Sequence, residues 1–571
     1  MLSSNAAEIL KARYLKRNKA GEVSETPDEL FRRVSRAVSR AEDKDAAVWE
    51  ERFYRLMQQG VFLPNSPTLM NAGLAEGQLS ACFVLPVEDT MQSIFETLTH
   101  TALIHQSGGG TGFNFTPLRP RGDRTGAGPG SASGPLAFMM VYDEATEQIK
   151  QGGRRRGANM GILNITHPDI RYFIESKSDP AALQNFNISV GITDAFMEAV
   201  DADIPWSLIN PRDGRKWSEL PARELWEALC HQAWKTGDPG LLFLDTINKG
   251  NTLPGLGTLQ ATNPCGELPL FPYESCNLGS VNLSGMIKTR SDGKATPDWD
   301  RLGEVVPQAL RFLDDVISVN RFMLPEIRAI TQANRKVGLG VMGWAELLIG
   351  LGVPYASEEA VALGRKLMQF IQERSFEASE ALCREREVFP NWRKSIYYPG
   401  RQMRNASCNS IAPTGSISVI AGTSYSIEPL YGLAFKRVGI LGGTQQREIN
   451  AIVQGVLEDH GLWTPEIRAH ILEEGGVSGV AEIPASLRRV LATAHEIPWE
   501  YHLAHQQAFQ EFTDNAVAKT VNLPRDIPDG EVASIYRQAW EMGLKGITVY
   551  RDGSRSDQVL QHCTSAAACE L

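Results

Sequence analysis

The chain has 571 residues, of which 42% are hydrophobic and 22% charged, with a formal net charge of -10. That balance belongs to a soluble globular protein too long for one ordinary domain, and it excludes a disordered chain, while the acidic excess argues against nucleic acid as a partner. No run of about 18 apolar residues and no apolar leader segment is present, so no membrane association and a cytoplasmic location are expected.

Near the N-terminus, Leu30, Val34 and Val38 fall at helical spacing in a charged, helix-prone stretch, which predicts a surface-packed helix. VFLPNSPTLMNAG (61–73) gathers Pro, Asn and Gly and reads as a loop between buried segments, and LSACFVLP (79–86) as a buried strand ended by Pro86. Asp89 is the expected cap of the next helix, whose apolar face comprises Met91, Ile94, Phe95, Leu98, Ala102 and Leu103, and Gly108-Gly109-Gly110 stops it. RPRGDRTGAGPGSASGP (119–135) and QGGRRRGANMG (151–161) read as mobile loops with exposed backbone N–H groups, not as packed elements. From about 190 to 350, helices alternate with apolar runs such as GLLFL (240–244) and VGLGVMG (337–343), the pattern of an α/β barrel or a doubly wound sheet. APTGSISVIAG (412–422) is a further Gly-rich turn, GITVYRDGS (546–554) a strand and turn, and the last 17 residues a polar, small-residue tail.

Eight cysteines are too sparse for a disulfide scaffold in a chain this long, which points to reactive thiols. There is no CxxC pair and no HExxH, and no metal site is expected. Cys265 lies in TNPCGELPL, where Pro264 and Gly266 impose a tight turn that pushes the thiol outward, with Asn263 and Glu267 two residues to either side. Cys82 and Cys276, read alone, are small core residues. Cys230, Cys383 and Cys408 read as structural, and Cys563 and Cys569 sit in the tail as a disulfide shuttle or an incidental pair. His502 and His505 share a helical face without a thiol or carboxylate to complete a metal site, and His100 and His105 read as surface or packing residues.

Taken in order, SPTLMNAG, LSACF, NPCGE, APTGSIS and GITVYRDGS resemble the catalytic chain of ribonucleotide reductases, most closely the class II, adenosylcobalamin-dependent form, from about residue 50 to 555. The resemblance implies an α/β fold: a ten-stranded barrel of two five-stranded halves over 56–555, a central finger loop, a helical region over 1–55 and a flexible tail over 556–571. It places the radical thiol at Cys265 on the loop tip, the amide and general base at Asn263 and Glu267, and the pair oxidised in each turnover at Cys82 and Cys276. Ser66, Ala81 and Gly110 align with substrate contacts, and Pro413, Thr414, Gly415, Ser416 and Ile417 with a phosphate-binding turn, a role suited to exposed N–H and O–H donors. Asp89 and Arg119 align with a dNTP effector site at a homodimer interface, and 151–161 with the loop linking it to the active site. Where some relatives place a lysine near the end of the amphipathic helix, this chain has Gln106. The implied partners are a ribonucleotide, a dNTP effector and a thioredoxin-like or glutaredoxin-like reductant.

Class I relatives receive their radical through two adjacent tyrosines, and here the matching place reads Thr548-Val549-Tyr550. Class III relatives carry a C-terminal glycyl-radical motif and a zinc-binding CxxC pair, and neither is found. Adenosylcobalamin is therefore the implied radical source. A class I-type subunit fed by a partner metal subunit is the alternative. A cysteine hydrolase would need a histidine base, and none lies within 30 residues of Cys265. A purely nucleotide-binding protein would leave NPCGE and the two further cysteines without a purpose.

Overall fold

The computed structural model describes residues 3–75, 77–125, 130–151, 155–437 and 446–554. It opens with three helices, α1 (Ser4–Arg13), α2 (Pro27–Val38) and α3 (Ala46–Gln58). Thr26 and Glu29 close a capping box on α2, and Leu30, Val34 and Val38 are buried together with Phe31, as their spacing predicts. These helices share a core with the rest of the molecule. Phe312 of the helix Trp299–Val319 meets Phe53 of α3 edge-on at 5.1 Å and Phe62 at 5.5 Å. Buried Glu42 holds Arg311 at 2.6 Å and Arg386 at 2.7 Å, fastening the helical region to two barrel helices.

Ten strands form one sheet: β1 (Phe62–Pro64), β2 (Cys82–Val84), β3 (Gly110–Asn114), β4 (Asn159–Asn164), β5 (Phe186–Ile192), β6 (Gly240–Phe243), β7 (Ser275–Asn282), β8 (Val337–Met342), β9 (Thr520–Leu523) and β10 (Gly546–Arg551). Strands β2 through β6 run parallel as one five-stranded half. Antiparallel junctions join it to β7 at one side and β10 at the other. In the second half β8 is parallel to β7 and β9 to β10. The extended segment 409–411 lies between them, bridged to Leu339 through Asn409 and to Val517 through Ile411. The continuous ladder does not close, and these single bridges span the gap between β8 and the segment leading into β9. Among the described residues, no helix is long and apolar enough to cross a membrane.

Several local expectations give way. The segment 61–73 is not a loop: it is β1 followed by α4 (Ser66–Asn71), because Asn65 accepts from Thr68 N and Pro67 suits the first helical turn. The segment 151–161 is not wholly unpacked either. Lys150–Gln151 pairs antiparallel with Arg155–Arg156, Asn159–Gly161 already belong to β4, and 152–154 lie outside the described residues. In APTGSISVIAG the turn runs straight into a helix, Gly415–Ala421, with Thr414 in the left-handed region at φ 60°.

The helix after Asp89 is α5 (Met91–Ser107), but Thr90 caps it, accepting from Ser93 N. Its inward face is the predicted apolar one only in part: Ile94 is buried and Leu98 and Leu103 pack partly against the core, but polar residues share that face. Ile94, Thr97, Thr101, Ile104 and His105 are buried, while Met91 is 60% and Phe95 45% exposed. The buried hydroxyls are satisfied internally: Thr97 donates to Pro86 O at 2.7 Å, Thr101 to Thr97 O at 2.8 Å, and His105 Nε2 meets Thr111 Oγ1 at 3.0 Å. Polar side chains that find partners share the inward face with Ile94 and Ile104 and leave Met91 and Phe95 outside.

Candidate active site

Two short strands, Ala261–Thr262 and Pro269–Leu270, pair antiparallel and carry the NPCGE turn at their tip. Gly266 N donates to Asn263 O at 3.1 Å and Gly266 adopts φ 84°, a conformation suited to glycine. The hairpin runs against the sheet at a distance only glycine allows: a Cβ on Gly112 of β3 would lie 1.7 Å from Thr262 O. Asn187 of β5 donates to Pro264 O at 2.8 Å, while Glu267 O accepts from Ala516 N at 2.9 Å and Ser410 Oγ at 3.0 Å. The finger is thus anchored to both halves of the sheet, and Cys265 is exposed at its tip.

That tip projects into a chamber of about 690 Å³. Its walls come from β5, β6, β9, β10 and the segments 413–415 and 425–431, and they are mostly apolar, with Leu241, Leu242, Val517, Ile547 and Val549 prominent. Among the described residues no histidine lines it. His502 and His505, on the helix Trp499–Gln510, are buried with both ring nitrogens engaged: His502 by Ala494 O and Lys519 Nζ, His505 by Tyr355 O and Trp344 Nε1.

Beneath the tip, Cys82 and Cys276 stand directly opposite each other in the β2–β7 register, both buried and both thiols. Opposed residues on paired antiparallel strands have Cβ atoms about 4.5–5.5 Å apart, close enough for a small shift to make a disulfide. Asn263 Nδ2 donates to Cys82 Sγ at 3.1 Å, and its Oδ1 accepts from Leu268 N at 3.0 Å, so one amide fixes both the thiol and the turn. Burial, reinforced by Glu267, Cys265 and Cys276, pushes the Cys82 thiol well up, and burial also raises Cys276. Both therefore remain protonated thiols at neutral pH.

Glu267 is 1% exposed, and its Oε2 is buried with no hydrogen-bond partner. Burial pushes its carboxyl up to about 7, against the opposing pull of the Asn263 hydrogen bond. A carboxyl balanced there, with an unsatisfied oxygen, is equipped to accept a proton from a substrate hydroxyl.

The structure gathers the other sequence candidates unevenly. Pro413 and Gly415 line the chamber, Ser416 is half-buried next to them and Ile417 is buried. The Thr414 hydroxyl is taken by Ser418 Oγ at 2.7 Å and Ser426 N at 2.8 Å. Ala81 O accepts from Gly110 N at 2.8 Å beside Cys82, and a Cβ on Gly110 would lie 2.9 Å from Pro264 Cγ. Ser66 opens α4 with its hydroxyl 2.8 Å from Tyr14 Oη and is not part of the chamber lining. Asp89 and Arg119 do meet, with Nε to Oδ2 at 2.8 Å, at the start of α5. Cys230 and Cys383 are buried in helices and Cys408 is buried too. Cys563 and Cys569 lie outside the described residues. Sequence reasoning missed Asn187, Glu428 and Lys519. Lys519, in AVAKTVNL, did carry a signal: a lone charge inside a strand-like apolar run.

Residues 80–550 match the ribonucleotide reductase barrel domain, and residues 1–77 the ribonucleotide reductase all-alpha domain. The chain is 48% identical over 566 residues to a vitamin B12-dependent ribonucleoside-diphosphate reductase of Mycobacterium tuberculosis, covering 98% of this chain and 79% of that one. It is 45% identical over 620 residues to a protein of the same name from Thermoplasma acidophilum, covering 98% and 80%. Among solved structures, the class Id ribonucleotide reductase alpha subunit of Actinobacillus ureae superposes with a TM-score of 0.80 at 24% identity over 97% of both chains, a likeness of fold.

Proposed function

The chain belongs to the ribonucleotide reductase family, and from that premise we propose that it reduces ribonucleoside diphosphates to 2′-deoxyribonucleotides by thiyl-radical chemistry started by adenosylcobalamin, with dNTP control of specificity. The observation that carries this reading is the convergence at one hairpin tip: exposed Cys265, a Glu267 carboxyl with one unsatisfied oxygen, and Cys82 facing Cys276 just beneath. Diphosphate as the substrate level and cobalamin as the cofactor follow the names of the relatives at 45–48% identity.

Adenosylcobalamin, when bound, supplies a carbon-centred radical by homolysis of its cobalt–carbon bond. The residues present fit such a group: the chamber has room for its nucleoside beside Cys265, and Leu241, Leu242, Val517, Ile547 and Val549 would pack against it. Tyr550 lines the chamber between Val549 and Arg551, without the adjacent tyrosine that a relay from a partner metal subunit uses.

In this mechanism the Cys265 thiyl takes the ribose 3′-hydrogen while Glu267 accepts the 3′-hydroxyl proton, a contribution of about 10²–10⁴-fold. The 2′-hydroxyl leaves as water with a proton from the Cys82/Cys276 pair. The pair gives its second hydrogen to C2′, so that two electrons and two protons in all pass to the sugar and the departing water, and it closes to a disulfide; Glu267 returns its proton to the 3′-oxygen, and Cys265 returns hydrogen to C3′. Ser66, the Ala81–Cys82 backbone and Gly110 contact the nucleoside, and residues 413–417 hold its phosphates. Asp89 and Arg119 bind the effector, and 151–161 connect that site to the chamber. Two copies pair across α5, which exposes Met91 and Phe95, while α6 (Pro135–Gln148) exposes Met140 at 62%. Tyr142 of α6 donates to Ile94 O at 2.5 Å, which ties α6 to α5. The disulfide is reopened by a thioredoxin-like or glutaredoxin-like protein through tail thiols Cys563 and Cys569.

The test is CDP reduction by the purified chain with dithiothreitol, with and without adenosylcobalamin, and with and without dNTPs. The expected result is dCDP only when the cobalamin is present, at a rate that depends on the dNTP. Cobalamin-independent turnover that requires a metal-containing partner would establish the class I reading instead.

A further inference from the structure

A second carboxylate stands in the chamber wall, built quite differently from Glu267. Glu428 Oε1 accepts from Thr520 N at 2.8 Å, and Oε2 accepts from Lys519 Nζ at 2.5 Å. The Lys519 side chain has no exposure, yet all three of its ammonium hydrogens are placed: on Glu428, on His502 Nδ1 at 3.1 Å, and on Thr520 O at 3.3 Å. With His502 Nδ1 accepting, its proton sits on Nε2, which meets Ala494 O at 3.2 Å, so the imidazole is neutral. Among the described residues, Glu428 is the acid that meets this buried lysine.

Such a pair is not placed for stability, because an apolar pair of similar volume serves a core as well or better. What it secures is a fixed carboxylate facing a largely apolar chamber. A carboxylate has about four acceptor positions. Two are used by Thr520 and Lys519, and the Glu428 side chain keeps 20% exposure where it lines the chamber. The complementary ligand carries neighbouring hydroxyl donors on an otherwise flat, weakly polar body, which describes a ribonucleoside. The substrate ribose is already accounted for at the finger by Glu267, Asn263 and Cys82.

We propose that Glu428, oriented by Lys519, accepts the 2′,3′-diol of a second ribonucleoside in the chamber, the 5′-deoxyadenosyl group, and so seats it beside Cys265. Lys519 is a positioning residue in this scheme. The proposal rests on the reading of the chamber given above.

Equilibrium dialysis of the full-length protein tests it with three probes: 5′-deoxyadenosine, 2′,3′,5′-trideoxyadenosine and CDP. Hydrogen bonds to a charged acceptor correspond to about a tenfold or larger change in affinity. Wild type should bind 5′-deoxyadenosine at least about tenfold more tightly than the trideoxy analogue. Glu428→Gln, which keeps size and an acceptor for Thr520, should lose that difference while binding CDP as wild type does, and Lys519→Met should behave alike. Equal wild-type affinity for the two adenosines would overturn the proposal without reliance on any variant. So would full retention of the difference in Glu428→Gln, or a loss confined to CDP, which would assign the diol to the substrate. Failure of the chamber reading itself shows separately, as absence of cobalamin-dependent CDP reduction by wild type.

Discussion

Glu267 and Cys265 illustrate how neighbours two residues apart acquire opposite surroundings: the thiol stands in the open chamber and the carboxyl is sealed beneath it. With its carboxyl pushed up to about 7, Glu267 is a base only above that value. The rate of CDP reduction should therefore fall as pH is lowered through about 7, and Glu267→Gln should be slower by about two to four orders of magnitude with little change in substrate affinity. The folded protein binds a proton here that the unfolded chain, with its carboxyl near its ordinary value, releases earlier, so this group's contribution to stability declines as pH rises through that interval. Thermal melts should accordingly show Glu267→Gln gaining on wild type between pH 5 and 8, and a constant difference across that range would contradict the burial argument. Both residues were legible because one pentapeptide carries them. Asn187, which pins the tip, and Glu428, which pairs with Lys519 some ninety positions away, were not, since only the sheet brings them to the chamber.

At the scale of elements, α5 is the instructive departure. Its apolar residues do recur at helical spacing, but periodicity reports a face and not what covers it. Thr97, Thr101 and His105 turn inward because Pro86 O, Thr97 O and Thr111 receive them, leaving Met91 and Phe95 for another surface. Phe95→Glu should convert a dimer to a monomer in sedimentation velocity and leave the fold intact by circular dichroism. An unchanged dimer would place the subunit contact elsewhere. The finger hairpin makes a second element-scale prediction. Gly112→Ala puts a methyl where Thr262 O lies, so the hairpin must shift, and turnover should drop by orders of magnitude while the helical region keeps its packing. The strand β1 and helix α4 were hidden in the sequence because the Asn and Pro that signal a loop also serve as cap and first turn.

Across the whole molecule, a parallel half-sheet, β2 through β6, is joined antiparallel to β7 and β10 of the second half, in which β1 also runs antiparallel to β7; the alternation of apolar runs with helices pointed to an α/β barrel or a doubly wound sheet, and the two-half barrel came from the resemblance. Strand order was not legible, because the junctions of β7 with β2 and of β10 with β6 join segments far apart in the chain. The same burial that protects the chemistry shuts out large reductants: Cys276 is fully buried and Cys82 nearly so. Changing Cys563 and Cys569 to Ser should therefore abolish multiple turnovers with thioredoxin and spare those with dithiothreitol, which is small enough to enter. Equal rates with thioredoxin would make the tail thiols incidental. The central claim, that Cys265 carries hydrogen between cofactor and substrate, has a direct measurement. Adenosylcobalamin tritiated at the 5′-carbon is incubated with the protein and a dNTP, and label passing to the Cys265 sulfur exchanges into water. Wild type should release tritium to solvent and Cys265→Ser should release none. Equal release from the serine variant, or no release from a wild type that still reduces CDP, would contradict the account.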